Sequence, residues 1–274
     1  MSDTLTPQQL GEFSTRGILC LKGLLPPDCT RRAREAVLRP LARRGLWRDG
    51  AWHLCDSPKP QWPNSGLKTS KVIGNKHSAL AALLEEPALR AVVDVLLGGH
   101  DFDRTIFGRP QVLFTLPNID TWTVPTGWHV DFPRLASGGC YGVQLFTFLD
   151  DVEPRGGGTL VVAGSHRLFN EGCFIRASDL HRRLRRAPFI RDLYSEASNS
   201  AESREHLLKQ TAAIGDIPVE VVELTGAPGD AYLTDLRMLH TGAPNARDHP
   251  RMMVTSRFVC ADVMPELVEA YGWR

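Results

Sequence analysis

From about residue 107 onward the chain becomes a succession of short apolar runs punctuated by glycine and proline, and this pattern leaves few folds open. Residues 112–116, 142–149, 159–163, 219–224, 231–239 and 252–260 each read as a strand. Pro154-Arg155-Gly156-Gly157-Gly158 supplies a turn between two of them. The stretch 168–218 interrupts the series and is charged, with a helical pattern. Ahead of the strands the chain reads mostly as helix. Thr6, Pro7 and Gln9 form a capping signature. Residues 17–21 read as a strand, and Pro26-Pro27-Asp28 breaks it. A helix over 30–44 follows, with Ala33, Ala36, Val37 and Leu41 on one face, and another spans 80–97 up to Gly98-Gly99. Helices first and strands after suit an α+β protein, mainly β, built on an antiparallel sandwich or barrel. With no repeat or long linker, residues 1–274 are expected to form one domain: helical support and loops over 1–106, and a core over 107–262 carrying the insertion 168–218.

The formal net charge is +1, so no global field draws the chain to nucleic acid or to a membrane surface. No apolar run is long enough for a membrane span, and the N-terminus lacks the pattern of a secretory signal. The six cysteines form no C-x-x-C pair and no zinc-finger spacing. They suggest reduced thiols and a cytoplasmic protein.

The chemistry concentrates in Gly127-Trp128-His129-Val130-Asp131-Phe132. Side chains two apart on an extended strand point the same way, so His129 and Asp131 can aim a nitrogen and an oxygen at one point. Two imidazoles and one carboxylate on one face are the ligand set of open-site Fe(II) oxygenases. His240, at the end of the 231–239 run, is the candidate third ligand. Arg251 follows it after ten residues, and its guanidinium can take a carboxylate through two hydrogen bonds. H-x-D alone is a common accident. Its combination with a later histidine and an arginine at this spacing is not.

These motifs resemble the phytanoyl-CoA dioxygenase family of Fe(II)/2-oxoglutarate oxygenases. The resemblance rests on Trp128-His129-Val130-Asp131, Gly156-Gly157-Gly158-Thr159 with Gly164-Ser165-His166-Arg167, Gly229-Asp230, His240 and Arg251. It covers nearly the whole chain. It implies a double-stranded β-helix, or jelly-roll (cupin-like), core with supporting N-terminal helices. It also implies iron held by His129, Asp131 and His240, with 2-oxoglutarate and O2 as cosubstrates and decarboxylation to succinate. The reaction would hydroxylate or desaturate a small molecule, secondary metabolites included. Some relatives carry a hydroxyl residue two after the distal histidine, where this chain has Gly242. The further cosubstrate contacts are therefore sought among Gln111, Thr147 and Thr241, beside Arg251. Trp122, Trp128 and Phe132 are candidate substrate-lining residues, with core packing as the competing reading. His166 reads as a turn residue, and the basic run 181–186 as a solvated helix face. The aromatics Trp47, Trp52 and Trp62 hint at a partly apolar small molecule. The insertion 168–218 is expected to hang over the barrel mouth as a lid.

Two other classes stay open at this point. Nucleic-acid dealkylases share the iron chemistry and the Arg-x5-Arg spacing of Arg251 and Arg257, but the neutral charge opposes a phosphate-tracking surface. A cupin-like binding protein without chemistry is the other. The carboxylate Asp131 speaks against a halogenase, which frees that position for halide.

Overall fold

The computed structural model describes residues 4–54, 77–103, 108–117, 122–136, 138–170, 172–195 and 204–271. The capping box forms at the start of α1 (Pro7–Arg16): Thr6 Oγ1 accepts the Gln9 amide at 3.2 Å, and Gln9 Oε1 accepts the Thr6 amide at 2.8 Å. Strand β1 (Ile18–Leu21) and helix α2 (Pro27–Ala42) follow, then the small hairpin of β2 (Trp47–Arg48) and β3 (Ala51–Trp52). The helix expected over 80–97 is two, α3 (Ser78–Leu84) and α4 (Pro87–Leu96). Pro87 has no amide to donate to the preceding turn, so it starts a new helix instead of continuing one.

The remaining elements are β4 (Phe102–Asp103), β5 (Gln111–Thr115), β6 (Gly142–Phe148), β7 (Thr159–Ala163), α5 (Ala177–Leu184), α6 (Pro188–Tyr194), β8 (Thr211–Ile214), β9 (Ile217–Glu223), β10 (Ala231–Asp235), β11 (His240–Gly242), β12 (Arg251–Cys260) and α7 (Met264–Tyr271). The larger antiparallel sheet runs β1-β10-β6-β12-β4, with β5 also paired to β12. The smaller runs β11-β7-β9-β8. The two face each other across a shared cluster, to which the larger sheet gives Phe146, Phe148 and Met253 and the smaller Val161 and Ala163. This is the jelly-roll sandwich that the resemblance implied.

Alternation decides what each strand shows to either side. On β6, Val143 and Leu145 face outward into the cluster built by α1–α4, while Phe146 and Phe148 face inward. On β7, Leu160 and Val162 face outward and Val161 and Ala163 inward.

The insertion corrects two expectations. Its C-terminal part is not helical but forms β8 and the start of β9, paired as a hairpin. Its helices do not hang over a mouth. Leu180, Leu184, Phe189, Ile190 and Leu193 are buried against Leu160, Val162, Val219 and Val221, on the outer face of the smaller sheet. The charged positions masked an apolar stripe wide enough to join a core. Arg204 ties this layer down, donating to the carbonyls of Val124 at 2.7 Å and Leu193 at 2.9 Å.

A third correction concerns the run 231–239. It is not one strand: β10 ends at Asp235 in the larger sheet, and β11 opens at His240 in the smaller. The crossing turn is held by a buried ion pair, with Arg237 Nε 2.8 Å from Asp235 Oδ1 and Arg237 Nη2 2.7 Å from Asp235 Oδ2.

Candidate metal centre

His129 sits on an extended segment that borders β11, and its amide and carbonyl both bond His240, each at 2.9 Å. The Nδ1 of His129 lies 3.1 Å from the Gly127 carbonyl, and the Nδ1 of His240 lies 3.1 Å from the Met238 carbonyl. A carbonyl can only accept, so each Nδ1 carries the proton and each Nε2 offers a lone pair. Both Nε2 atoms face Asp131: His129 Nε2 is 3.7 Å from Oδ1, and His240 Nε2 is 3.7 Å from Oδ2. The three ligand atoms lie within 4.8 Å of one another, close enough to share one metal ion. His240 is buried and His129 is exposed, so the cluster opens on the His129 side. Burial pushes the His240 pKa down, which favours the neutral imidazole a metal needs. Burial alone would raise the Asp131 carboxyl, but the electrostatic pull of its neighbours, among them the Arg257 guanidinium that also donates to it, outweighs burial and holds the group below the usual carboxylate range.

The glycine-rich motifs are the scaffold of this cluster, not members of it. Ser165 Oγ accepts the Leu239 amide at 2.9 Å, and the buried Arg134 donates to the carbonyls of Ser165, Leu168 and Arg237 at 2.9, 3.1 and 3.0 Å. Together they fix the turn that presents the Met238 carbonyl to His240. His166 is a buried turn residue, as read from sequence; its Nε2 meets the Ser14 carbonyl at 3.1 Å. It lies over Gly17, where φ is 71° and a Cβ would fall 2.4 Å from His166 Nδ1. Asp230 accepts from Lys22 Nζ and from the amides of Gly23 and Ala227, at 2.8, 2.9 and 3.0 Å, and so closes a turn.

Arg251 opens β12 opposite Thr115 on β5, and its Nη2 donates to Thr115 Oγ1 at 2.7 Å. The side chain is buried, its Nε has no partner among the described residues, and burial pushes its pKa down to about 10. A buried guanidinium with a spare N–H is a seat for an anion. A Cβ on Gly242, two residues after His240 on the same face, would meet nothing within 4 Å, so there is room beside it.

The other sequence candidates divide. Gln111 is near the cluster, its Oε1 3.4 Å from Arg257 Nη1, and Arg257 in turn donates from Nη2 to Asp131 Oδ2 at 2.5 Å. Phe132 is buried beside them, with the Arg257 guanidinium 5.9 Å over its ring. Thr147 is not at the site: it shares the outward face of Leu145, and its hydroxyl donates to the Asp230 carbonyl at 2.8 Å. Thr241 shares the outward face of Leu239 and Ala243, opposite His240. Trp122 and Trp128 are core residues behind the smaller sheet, with indole N–H groups donating to the carbonyls of Pro244 at 3.1 Å and Pro125 at 2.8 Å. Trp47 and Trp52 pack on each other, rings 4.8 Å apart, against the N-terminal helices; Trp62 lies outside the described residues. Arg182, Arg183, Arg185 and Arg186 are exposed, as a solvated face requires. Sequence reading missed Thr115, Arg134, Arg204 and Tyr271, because single polar residues in mixed surroundings carry no periodic signal.

Among solved structures, the carbocyclase SnoK from nogalamycin biosynthesis shares the fold at a TM-score of 0.56 and 16% identity, over 94% of this chain and 85% of its own. The epimerase SnoN from the same biosynthesis gives 0.54 and 17%, over 93% and 82%. EctD from S. alaskensis, solved with 2-oxoglutarate and 5-hydroxyectoine, gives 0.52 and 15%, over 96% and 79%. No curated protein matches the chain by sequence. The sequence pattern of the phytanoyl-CoA dioxygenase (PhyH) family, however, matches residues 13–253. That span takes in His129, Asp131, the distal histidine and the buried arginine, and by it the chain belongs to the phytanoyl-CoA dioxygenase family.

Proposed function

We propose that this protein is an Fe(II)- and 2-oxoglutarate-dependent oxygenase that hydroxylates or desaturates a small organic molecule, with His129, Asp131 and His240 holding the iron. The carrying observation is the convergence of two Nε2 lone pairs and a carboxylate within 4.8 Å, together with a buried Arg251 whose Nε has no partner among the described residues. The donor set fits Fe(II): two neutral imidazoles and one anionic oxygen on one face leave positions open. Iron with 2-oxoglutarate, when bound, supplies the electrons that activate O2 and leaves succinate and CO2.

The chain's own residues do the rest. The carbonyls of Gly127 and Met238 keep both imidazoles in the binding tautomer. Arg251, steadied by Thr115, takes the distal carboxylate of 2-oxoglutarate and orients it toward the histidines. Phe146, Phe148, Val161 and Met253 form a buried apolar cluster between the two sheets that carry the ligands' flanking strands. Gln111, 3.4 Å from the Arg257 guanidinium that bonds Asp131, adds a polar group near the cluster. The net charge of +1 supports a small-molecule substrate over nucleic acid. The fold relatives from nogalamycin biosynthesis accord with a natural product.

Anaerobic addition of Fe(II) and 2-oxoglutarate should produce the visible charge-transfer band of an iron–oxo acid chelate. Admission of O2 should then release succinate in an amount that metabolite screening increases. Stoichiometric iron binding with no succinate under any condition would favour the non-catalytic, cupin-like reading.

A further inference from the structure

We propose that Arg257 is a positioning residue that keeps Asp131 a one-oxygen metal ligand, and that Tyr271 completes the grip from the C-terminal helix. The inference rests on the metal centre proposed above and concerns residues outside the span that the family pattern matches, which ends at 253.

A carboxylate can meet a metal ion through one oxygen or through both. With three single-atom ligands, a six-coordinate ion keeps three positions, two for an oxo acid chelate and one for O2. If Asp131 chelated, one of those would be lost. In the structure its two oxygens already differ. Each oxygen lies 3.7 Å from one histidine Nε2, Oδ1 from His129 and Oδ2 from His240, but Oδ2 is the one that accepts from Arg257 Nη2, at 2.5 Å. A charge-assisted bond to Oδ2 opposes its turning to a metal, and it leaves Oδ1 to bind.

Arg257 is itself held in place. It stands on β12 opposite Gln144, its Nη1 reaches Gln111 Oε1 at 3.4 Å, and its guanidinium lies 5.9 Å over the Phe132 ring. Tyr271 acts on the same residue from the other side. Its hydroxyl donates to the Asp131 backbone carbonyl, and its ring meets Phe132 edge-on at 6.3 Å. One grip therefore fixes the Asp131 side chain and the other its backbone. A residue that held only the fold together would not need to single out one carboxylate oxygen.

The test titrates the metal-free protein with Co(II) alone and reads both affinity and the d–d absorption spectrum, which reports coordination number. Arg257→Ala should weaken Co(II) binding roughly 10- to 100-fold, the usual effect of losing an outer partner of a metal ligand. It should also change the spectrum, and added guanidinium ion should restore both. Arg257→Lys should fall between, since an ammonium keeps the charge but not the planar fork. Wild-type affinity and spectrum in Arg257→Ala, while Asp131→Ala loses binding, would overturn the inference and leave the metal centre standing. Wild-type binding in Asp131→Ala and His240→Ala would instead remove the metal centre itself. If Arg257→Ala does not fold, Tyr271→Phe decides: it should weaken Co(II) several-fold without loss of circular dichroism, and an unchanged affinity and spectrum would refute the clamp.

Discussion

His129 and His240 face each other as a backbone pair, each donating its amide to the other's carbonyl at 2.9 Å, and their imidazole rings stand 4.4 Å apart. These amide bonds belong to the main chain, so replacing either side chain leaves them in place. His129→Ala and His240→Ala should therefore fold, with the buried His240 variant losing about 1–2 kcal/mol to its cavity. Both should lose more metal affinity than the 10- to 100-fold that an outer partner costs. Calorimetric titration with Fe(II) or Co(II), run beside thermal denaturation, separates the two effects. A folded His240→Ala protein with wild-type affinity would exclude the assignment.

Among the described residues no anion pairs with the buried Arg251, which costs the metal-free fold. Arg251→Met should stabilise the metal-free protein by about 1–3 kcal/mol, because it fills the same space without a charge. The same change should raise the KM for 2-oxoglutarate roughly 30- to 1,000-fold, from losing about 2–4 kcal/mol of charge-assisted bonding, while metal affinity holds. An unchanged KM would show that another side chain takes the cosubstrate carboxylate.

Arg204 joins the insertion to the segment just ahead of His129, donating to the carbonyls of Val124, Pro125, Asp192, Leu193 and Ser195. Arg204→Ala leaves buried acceptors unpaired and should destabilise by about 2–4 kcal/mol. Limited proteolysis should then cut the insertion faster. A lid would instead be cut readily in the wild type and protected by cosubstrate. Wild-type stability in Arg204→Ala would refute the buttress reading.

Glu223 is half-buried at the end of β9, where it accepts the Arg155 amide at 2.8 Å, and its partial burial pushes its pKa up to about 7 from an ordinary 4.5. A folded-state pKa raised above the unfolded value means that the fold prefers the protonated form. The contribution is full below about 4.5 and is lost as pH rises through about 7. Glu223→Gln keeps an acceptor without the charge, and should gain roughly 1–2 kcal/mol over wild type at pH 8 and nothing at pH 4, allowing for partial solvent screening. Urea denaturation across that range checks it; a gain independent of pH would contradict the assignment.

Much of the candidate site was legible because its signals are local. Period-2 geometry places His129 and Asp131 on one face of any extended segment, whatever the fold around it. The spacing from His240 to Arg251, eleven positions, suits a hairpin, but the structure puts β11 in the smaller sheet and β12 in the larger, so the chain crosses between the sheets instead of pairing back. The helix caps, the strand runs and the turn glycines were readable for the same reason.

What the sequence could not say is which face of each strand is inside. Thr147 and Thr241 alternate with inward residues and so turn outward, and Trp122 and Trp128 are core because the insertion covers them. Nor could it show that the chain changes sheets between Asp235 and His240, or that Arg251 meets Thr115 and Arg257 meets Asp131 across more than a hundred residues. Alternation is a property of the backbone itself, and a single strand already has it. Inside and outside, register and partner exist only once two sheets pack, because burial and hydrogen bonding between distant strands belong to the assembled sandwich and not to any one segment.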